Sequence, residues 1–309
     1  MTTPPIAAPH RTPAKRPLIG LALGGGGARG LAHLVVLETL DELGLRPDVI
    51  SGTSIGAIYG ACYAAGLSGK MLRAHTEEIL SQRVDLIRQM ISARADPIAK
   101  LLSFFPVRGA LLNAETLLDA ILPSKVPATF EALNIPLRIV ATDFYAQEPI
   151  VLTAGPLRRA VAASMALPAL FSPIMLDGRA AVDGGLVNPL PFDVIAREAD
   201  ITIAIDVSGA ARGDAKGVQP SAVEVLMASS QILQRSIVRE KLRAQQPDIY
   251  IDCAVDAFTV LDFHRFREIL ASSAPAKEQL KRQLDRVLGS QTLQIAAQQR
   301  LARPGSTTA

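Results

Sequence analysis

The chain alternates two kinds of apolar pattern. Mainly apolar runs occupy residues 17–23 and 201–207, and a shorter one passes through Val49 and Ile50. Runs of this kind read as strands buried on both faces. Further extended segments are predicted at 137–142, 149–153 and 248–252, with another ending at Asp183 and a turn at Asp177-Gly178. Between them lie stretches with helical spacing: 31–43 closed by Gly44, a small-residue helix from Ala57 closed by Gly66, then 114–122, 157–163, 223–242, 260–270 and 275–288. Glycine just past the last periodic residue is a common helix stop. Such alternation predicts a three-layer α/β/α sandwich around a mostly parallel central sheet.

Residues 68–110 set basic side chains (Lys70, Arg73, Arg83, Arg88, Arg94, Lys100) among apolar ones and end in Leu101-Leu102-Ser103-Phe104-Phe105-Pro106. This reads as a helical insertion with a solvated basic face. Residues 1–16, rich in Pro, Ala and Thr, are expected to be a disordered arm, and 290–309 a frayed helix and flexible tail. One domain over 17–289 remains, with no internal repeat and no composition shift to mark a second. No stretch approaches the roughly 18 apolar residues a membrane span needs.

Composition narrows the function classes. Nearly half of the 309 residues are apolar, enough for a large core. A net charge of +3 is too weak a bias to argue for nucleic acid, and the absence of Trp removes the best stacking platform for bases or sugars. Cys62 and Cys253 are far apart and in no metal-like spacing, so a reducing, cytoplasmic compartment is expected, with Cys62 a buried small apolar residue. No His, Asp and Glu cluster has metal-ligand spacing, and no metal is expected.

Two glycine-rich turns carry the candidate chemistry. Gly52-Thr53-Ser54-Ile55-Gly56 follows the second apparent strand and opens a helix of small residues. It fits the G-x-S-x-G nucleophile elbow, where a strained turn exposes a serine and flanking glycines make room. Gly24-Gly25-Gly26-Gly27-Ala28-Arg29-Gly30 follows the first strand. Its backbone N–H groups form an anion cradle for a phosphate, a pyrophosphate or a tetrahedral oxyanion. Gly25-x-Gly27-x-x-Gly30 matches the dinucleotide fingerprint formally, but the acidic residue that should end the second strand is replaced by the elbow, and Asp48 lies at the strand's beginning. No Lys-Ser/Thr pair follows the glycines, which excludes a P-loop. No cofactor is therefore expected. Further on, Asp183-Gly184-Gly185 places a carboxylate at a strand end in a loop free of crowding, where the plainer alternative is an Asp-Gly turn.

In these motifs, taken with Ala163-Ser164-x-Ala166-x-Pro168, the chain resembles the patatin-like phospholipases over about residues 17–290, and most of all their compact bacterial members. The resemblance implies a lipid acyl hydrolase of phospholipase A or lysophospholipase type. It implies Ser54 as nucleophile and Asp183 as its base, with the N–H groups of Gly25, Gly26 and Gly27 holding the oxyanion. Arg29 would fix the loop or meet an anionic head group. Gly30, Gly52, Gly56, Gly184 and Gly185 complete the motifs. The expected partner is a lipid or acyl-ester substrate, reached by peripheral membrane contact with residues 68–110 as an interfacial lid. Two rivals stand beside this reading. One is a Ser-His-Asp hydrolase built from Ser54, Asp206 and His264. The other is a non-catalytic lipid-binding regulatory protein. His33, His75 and His10 read as structural or solvated.

Overall fold

A computed structural model describes residues 16–82, 112–168, 170–209 and 222–301. Within them lie strands β1 (Ile19–Leu23), β2 (Val49–Thr53), β3 (Leu137–Asp143), β4 (Glu148–Leu152), β5 (Ile174–Leu176), β6 (Arg179–Asp183), β7 (Ile201–Asp206) and β8 (Ile249–Asp252). Pairing runs β5–β6–β3–β2–β1–β7–β8, with β4 also on β3. The β3–β2–β1–β7–β8 part is parallel, and β4, β5 and β6 pair antiparallel. Every residue of β1, β2 and β7 is buried, the polar Ser51, Thr53, Thr202 and Asp206 included.

The register explains how two distant stretches meet. β4 pairs with β3 from Ile139 to Asp143, alongside rows that β2 occupies up to Val140 and rows that β6 occupies from Ala141. Strands β2 and β6 must therefore share the opposite edge of β3. They run toward each other along it, β2 ending with Thr53 opposite Val140 and β6 ending with Asp183 opposite Ala141. Ser54 and Asp183 abut there.

Helices cover both faces. One face of the sheet, including Leu21, Ile50 and Ile139, packs under α1 (His33–Glu42), α2 (Ile55–Ala64), α4 (Leu157–Ser164), α7 (Phe266–Ser273) and α8 (Pro275–Leu301). On the other, Ala22, Val49 and Ala204 meet Phe192 and Ile195 of α5 (Phe192–Ile195) and Val238 of α6 (Ala222–Ala244). Each fully buried Leu or Ile contributes about 1.5–3 kcal/mol. Helix α3 (Ala114–Ile121) is capped by Asn113, whose side chain accepts from Glu115 and Thr116 N–H.

Several expected boundaries move. The helix expected at 31–43 is divided into a 3-10 turn, Gly27–Ala32, and α1. That expected at 260–270 becomes a 3-10 turn, Phe263–Arg265, and α7, because the Asp262 carboxylate accepts Thr259 N–H at 2.7 Å and shapes a local turn first. The closing helix continues past 288 to Leu301. Residues 69–82 of the expected insertion are helical. Residues 83–111, with Phe104 and Phe105, lie outside the described residues, as do 1–15 of the expected arm. No helix among the described residues is long and apolar enough to cross a membrane.

Helix α2 starts so close to the sheet that a Cβ on Gly56 would lie 2.1 Å from the Leu23 carbonyl oxygen. That oxygen belongs to the central strand and cannot yield. Gly56→Ala is expected to lower stability by about 3 kcal/mol, the upper range of overpacking costs, in denaturant melts. Gly289→Ala, in α8 with nothing within 4 Å of the added carbon, is the control and should stabilise by about 0.5–1 kcal/mol.

Candidate active site

The elbow takes the shape its glycines permit. Strand β2 ends at Thr53, α2 begins at Ile55, and Ser54 between them has φ 55° and ψ −121°. A non-glycine residue held there costs about 1–3 kcal/mol and persists only where its surroundings enforce it. The Ser54 hydroxyl donates to Asp183 Oδ2 at 2.7 Å. The other carboxylate oxygen, Oδ1, accepts Gly185 N–H at 2.7 Å. The Asp183 backbone is fixed as well, with its carbonyl receiving Thr142 Oγ1 at 2.8 Å and its N–H meeting the Ala166 carbonyl at 3.0 Å. Asp183 is almost wholly buried, and that burial raises its pKa from 3.8 to about 6, against the opposing pull of the Ser54 and Gly185 donors.

The glycine loop lies across from Ser54 and differs from expectation at one position. Gly25 N–H donates to the Pro189 carbonyl at 2.8 Å, so it is not a free donor. Among the described residues nothing accepts from the N–H of Gly26 or Gly27, and both residues border the same cavity as Ser54 and Asp183. Three expected donors thus become two. The loop is glycine for packing as well: a Cβ on Gly26 would sit 2.5 Å from the Val207 carbonyl oxygen.

Arg29 is fully buried and lies outside the cavity wall. Its Nε donates to the Gly26 carbonyl at 3.3 Å, and Nη1 reaches Gly209 O and Gln231 Oε1, each at 3.5 Å. Burial lowers its pKa to about 10. Of its two expected roles, the structure has it fixing the loop and not facing a head group. His33 supports the loop from below. Its Nε2 lies 2.9 Å from the Gly24 carbonyl, and burial pushes its pKa down to about 4, so the ring is neutral and Nε2–H is the donor.

One segment missed in the sequence ties these pieces together. The Asn188 carbonyl accepts Thr53 Oγ1 at 2.8 Å, Pro189 accepts Gly25 N–H, and the Pro191 carbonyl accepts Ser51 Oγ at 2.8 Å. Lys241 on α6 donates to the Leu190 carbonyl at 2.9 Å and stands over the Phe192 ring at 4.8 Å. The prolines of Asn188-Pro189-Leu190-Pro191 were the only signal.

The alternative triad does not assemble. Asp206 accepts from Tyr250 O–H and Ser208 N–H, each at 2.7 Å, while His264 is exposed in the 3-10 turn before α7. Cys62 lines the cavity, but burial raises its thiol to about 12, so it is not a competing nucleophile. Away from Ser54, Asp183 and the glycines, the cavity wall is mainly apolar, with Leu31, Ile58, Leu72, Ile79, Leu117 and Phe171 prominent. A mainly apolar chamber with one polar end suits a ligand with a hydrocarbon chain and one reactive polar group.

Residues 21–196 match the family model described as patatin-like phospholipase. An uncharacterized NTE family protein of Mycobacterium tuberculosis is 38% identical over 206 residues, covering 66% of this chain and 53% of that protein. Patatin-like phospholipase domain-containing protein 7 of Rattus norvegicus is 31% identical over 275 residues, covering 81% of this chain and 20% of that protein. The chain thus spans about half the length of the first relative and a fifth of the second. Among solved structures, human GIVD cytosolic phospholipase A2 with a methyl gamma-linolenyl fluorophosphonate inhibitor has a TM-score of 0.43 at 15% identity, covering 88% of this chain and 60% of that one. The ExoU–SpcU complex of Pseudomonas aeruginosa gives 0.43 at 16%, covering 87% and 52%. Scores this low carry no argument about the site. The family model covers more than half of the chain, the glycine loop, the elbow and Asp183 within its span: the chain belongs to the patatin-like phospholipase family.

Proposed function

We propose that this chain hydrolyses carboxylic esters of lipids, in the manner of a phospholipase A or lysophospholipase, with Ser54 and Asp183 as a catalytic dyad. The observation that carries the reading is the 2.7 Å bond between the two side chains at the polar end of a mainly apolar cavity. A serine hydroxyl is a weak nucleophile until a base takes its proton. Asp183 takes it as Oγ attacks the ester carbon. The tetrahedral oxyanion forms opposite the N–H groups of Gly26 and Gly27, and each such donor is worth about 3 kcal/mol in the transition state. Collapse expels the alcohol, which receives the proton back from Asp183. Water, deprotonated by Asp183, then attacks the acyl carbon; the bond to Ser54 Oγ breaks, Oγ takes that proton from Asp183, and the fatty acid is released.

An ordinary aspartate is a poor base for this task. The rise from 3.8 to about 6 adds about 3 kcal/mol to its proton affinity. Burial does this. The apolar wall, to which residues 69–82 contribute Leu72, Ile79 and Leu80, would hold the acyl chain. Substrate of this kind resides in a membrane or micelle, and contact with such a surface is part of the proposal.

Ser54→Ala should abolish p-nitrophenyl ester hydrolysis and labelling by a fluorophosphonate probe while the melting temperature holds. Retained turnover in the folded variant rejects Ser54 as nucleophile. Asp183→Asn should lose about 10²–10⁴-fold in kcat, whereas His264→Ala should keep most activity; the reverse ranking favours a Ser-His-Asp arrangement.

The raised pKa has a signature in pH. The dyad needs the carboxylate ionised, so kcat/KM should climb through about pH 6 and level off above it. Stability should move the other way. The folded state holds a proton on Asp183 between pH 3.8 and about 6 that the unfolded chain has lost, so stability present at low pH is lost as pH rises through 6. Asp183→Asn should lack that component and melt at or above wild type at pH 8. A flat activity profile from pH 4.5 to 8, or a less stable variant at pH 8, contradicts the assignment.

A further inference from the structure

The ladder between β2 and β3 points to one more residue. Ile50 stands opposite Leu137, and its N–H donates to the Pro136 carbonyl at 2.9 Å. Parallel pairing repeats every two residues. The rung two steps on joins Gly52 to Arg138, and the next would join Ser54 N–H to the Val140 carbonyl. That rung is not made directly. Ser54 N–H donates instead to Ser164 Oγ at 2.8 Å, and the Ser164 hydroxyl donates to the Val140 carbonyl at 2.6 Å. A side-chain hydroxyl has been inserted into a backbone rung.

The insertion falls where the geometry needs it. Ser164 is fully buried and is the last residue of α4, the helix that leads to Ala166, whose carbonyl holds Asp183 N–H. Two bonds in series keep Ser54 farther from Val140 than one rung would, at the residue where φ turns positive. The hydroxyl proton goes to Val140, so the oxygen is left to accept from Ser54. Without it, Ser54 N–H either closes on Val140 and straightens the elbow or stays buried without a partner, which is unfavourable for a polar group out of water. Both outcomes move Oγ away from Asp183.

We propose that Ser164 is a positioning residue that holds the nucleophile Ser54 at its elbow by bridging the broken rung between Ser54 N–H and the Val140 carbonyl. The inference rests on the reading of Ser54 as nucleophile. The test compares Ser164→Ala, Ser164→Cys and Ser164→Thr with Ser54→Ala in the full chain, using a soluble short-chain p-nitrophenyl ester and the rate of fluorophosphonate attachment to Ser54. Ser164→Ala should lower kcat and the labelling rate by about 10- to 100-fold, the effect of a small misplacement of a reacting atom, with KM changed less than about threefold. Ser164→Cys keeps the shape with a weak hydrogen-bonding group and should fall on the same side. Ser164→Thr, which keeps the hydroxyl, should recover most of the rate. Melting curves show which variants are folded; if the Ala chain is not, the Cys chain decides. A folded variant without the hydroxyl that keeps wild-type kcat and labelling overturns the proposal, as does a folded Thr variant no better than Cys. Turnover by Ser54→Ala instead overturns the nucleophile assignment itself, whatever Ser164 does.

Discussion

The site depends on one edge of β3 serving two strands that run toward each other. β2 uses that edge as far as Val140, and β6 uses it from Ala141. Neither strand can advance without displacing the other, so each must turn away at the same point. β2 turns by a sharp elbow and β6 by a glycine pair. The two residues at the turning points are the ones whose side chains touch. Their meeting is set by backbone pairing before any side-chain preference acts, and a strand end is held far more rigidly than a loop tip. This is why a single hydrogen bond between residues 129 positions apart has a defined geometry.

A second layer of backbone contacts places the anion loop against that junction. Asn188, Pro189 and Pro191 turn their carbonyls toward Thr53, Gly25 and Ser51 in turn. The proline φ angles are fixed by their rings, so the carbonyls are presented with little freedom to lose. The loop that follows Asp183 therefore also holds the ends of the two central strands. Asp183, Ser54 and the glycine loop are thus connected through the main chain of this segment.

The local parts of this design were legible in the sequence, and the long-range parts were not. The elbow, the glycine loop and Asp183-Gly184-Gly185 each announce themselves within a few residues, because steric room at a turn is a local requirement. The buried strands 17–23 and 201–207 were equally plain. The loss of Gly25 as a donor was not, because its acceptor lies at Pro189, far along the chain. Arg29 was legible as a group that would fix the loop or meet an anionic head group, but its direction depends on Gly209 and Gln231. Ser164 stood in a noted motif without a role, since nothing near it says that its hydroxyl will lie in the gap of someone else's ladder. The helix at 31–43 was drawn too long at its start because apolar spacing does not distinguish a 3-10 turn from a first α turn.

The bond from Gly24 N–H to the Ile205 carbonyl has a consequence in time. It joins the start of the glycine loop to the end of β7, and such non-local contacts form late because long loops must close first. A ribosome releasing this chain from its N-terminus exposes Ser54 early, Asp183 much later and the Ile205 anchor of the glycine loop later still. Until β7 docks, the glycine loop lacks this anchor at its start. The order of synthesis is thus also an order of assembly: a nascent or truncated chain ending before residue 205 carries Ser54 and Asp183, the proposed dyad, without the strand that anchors the start of the glycine loop.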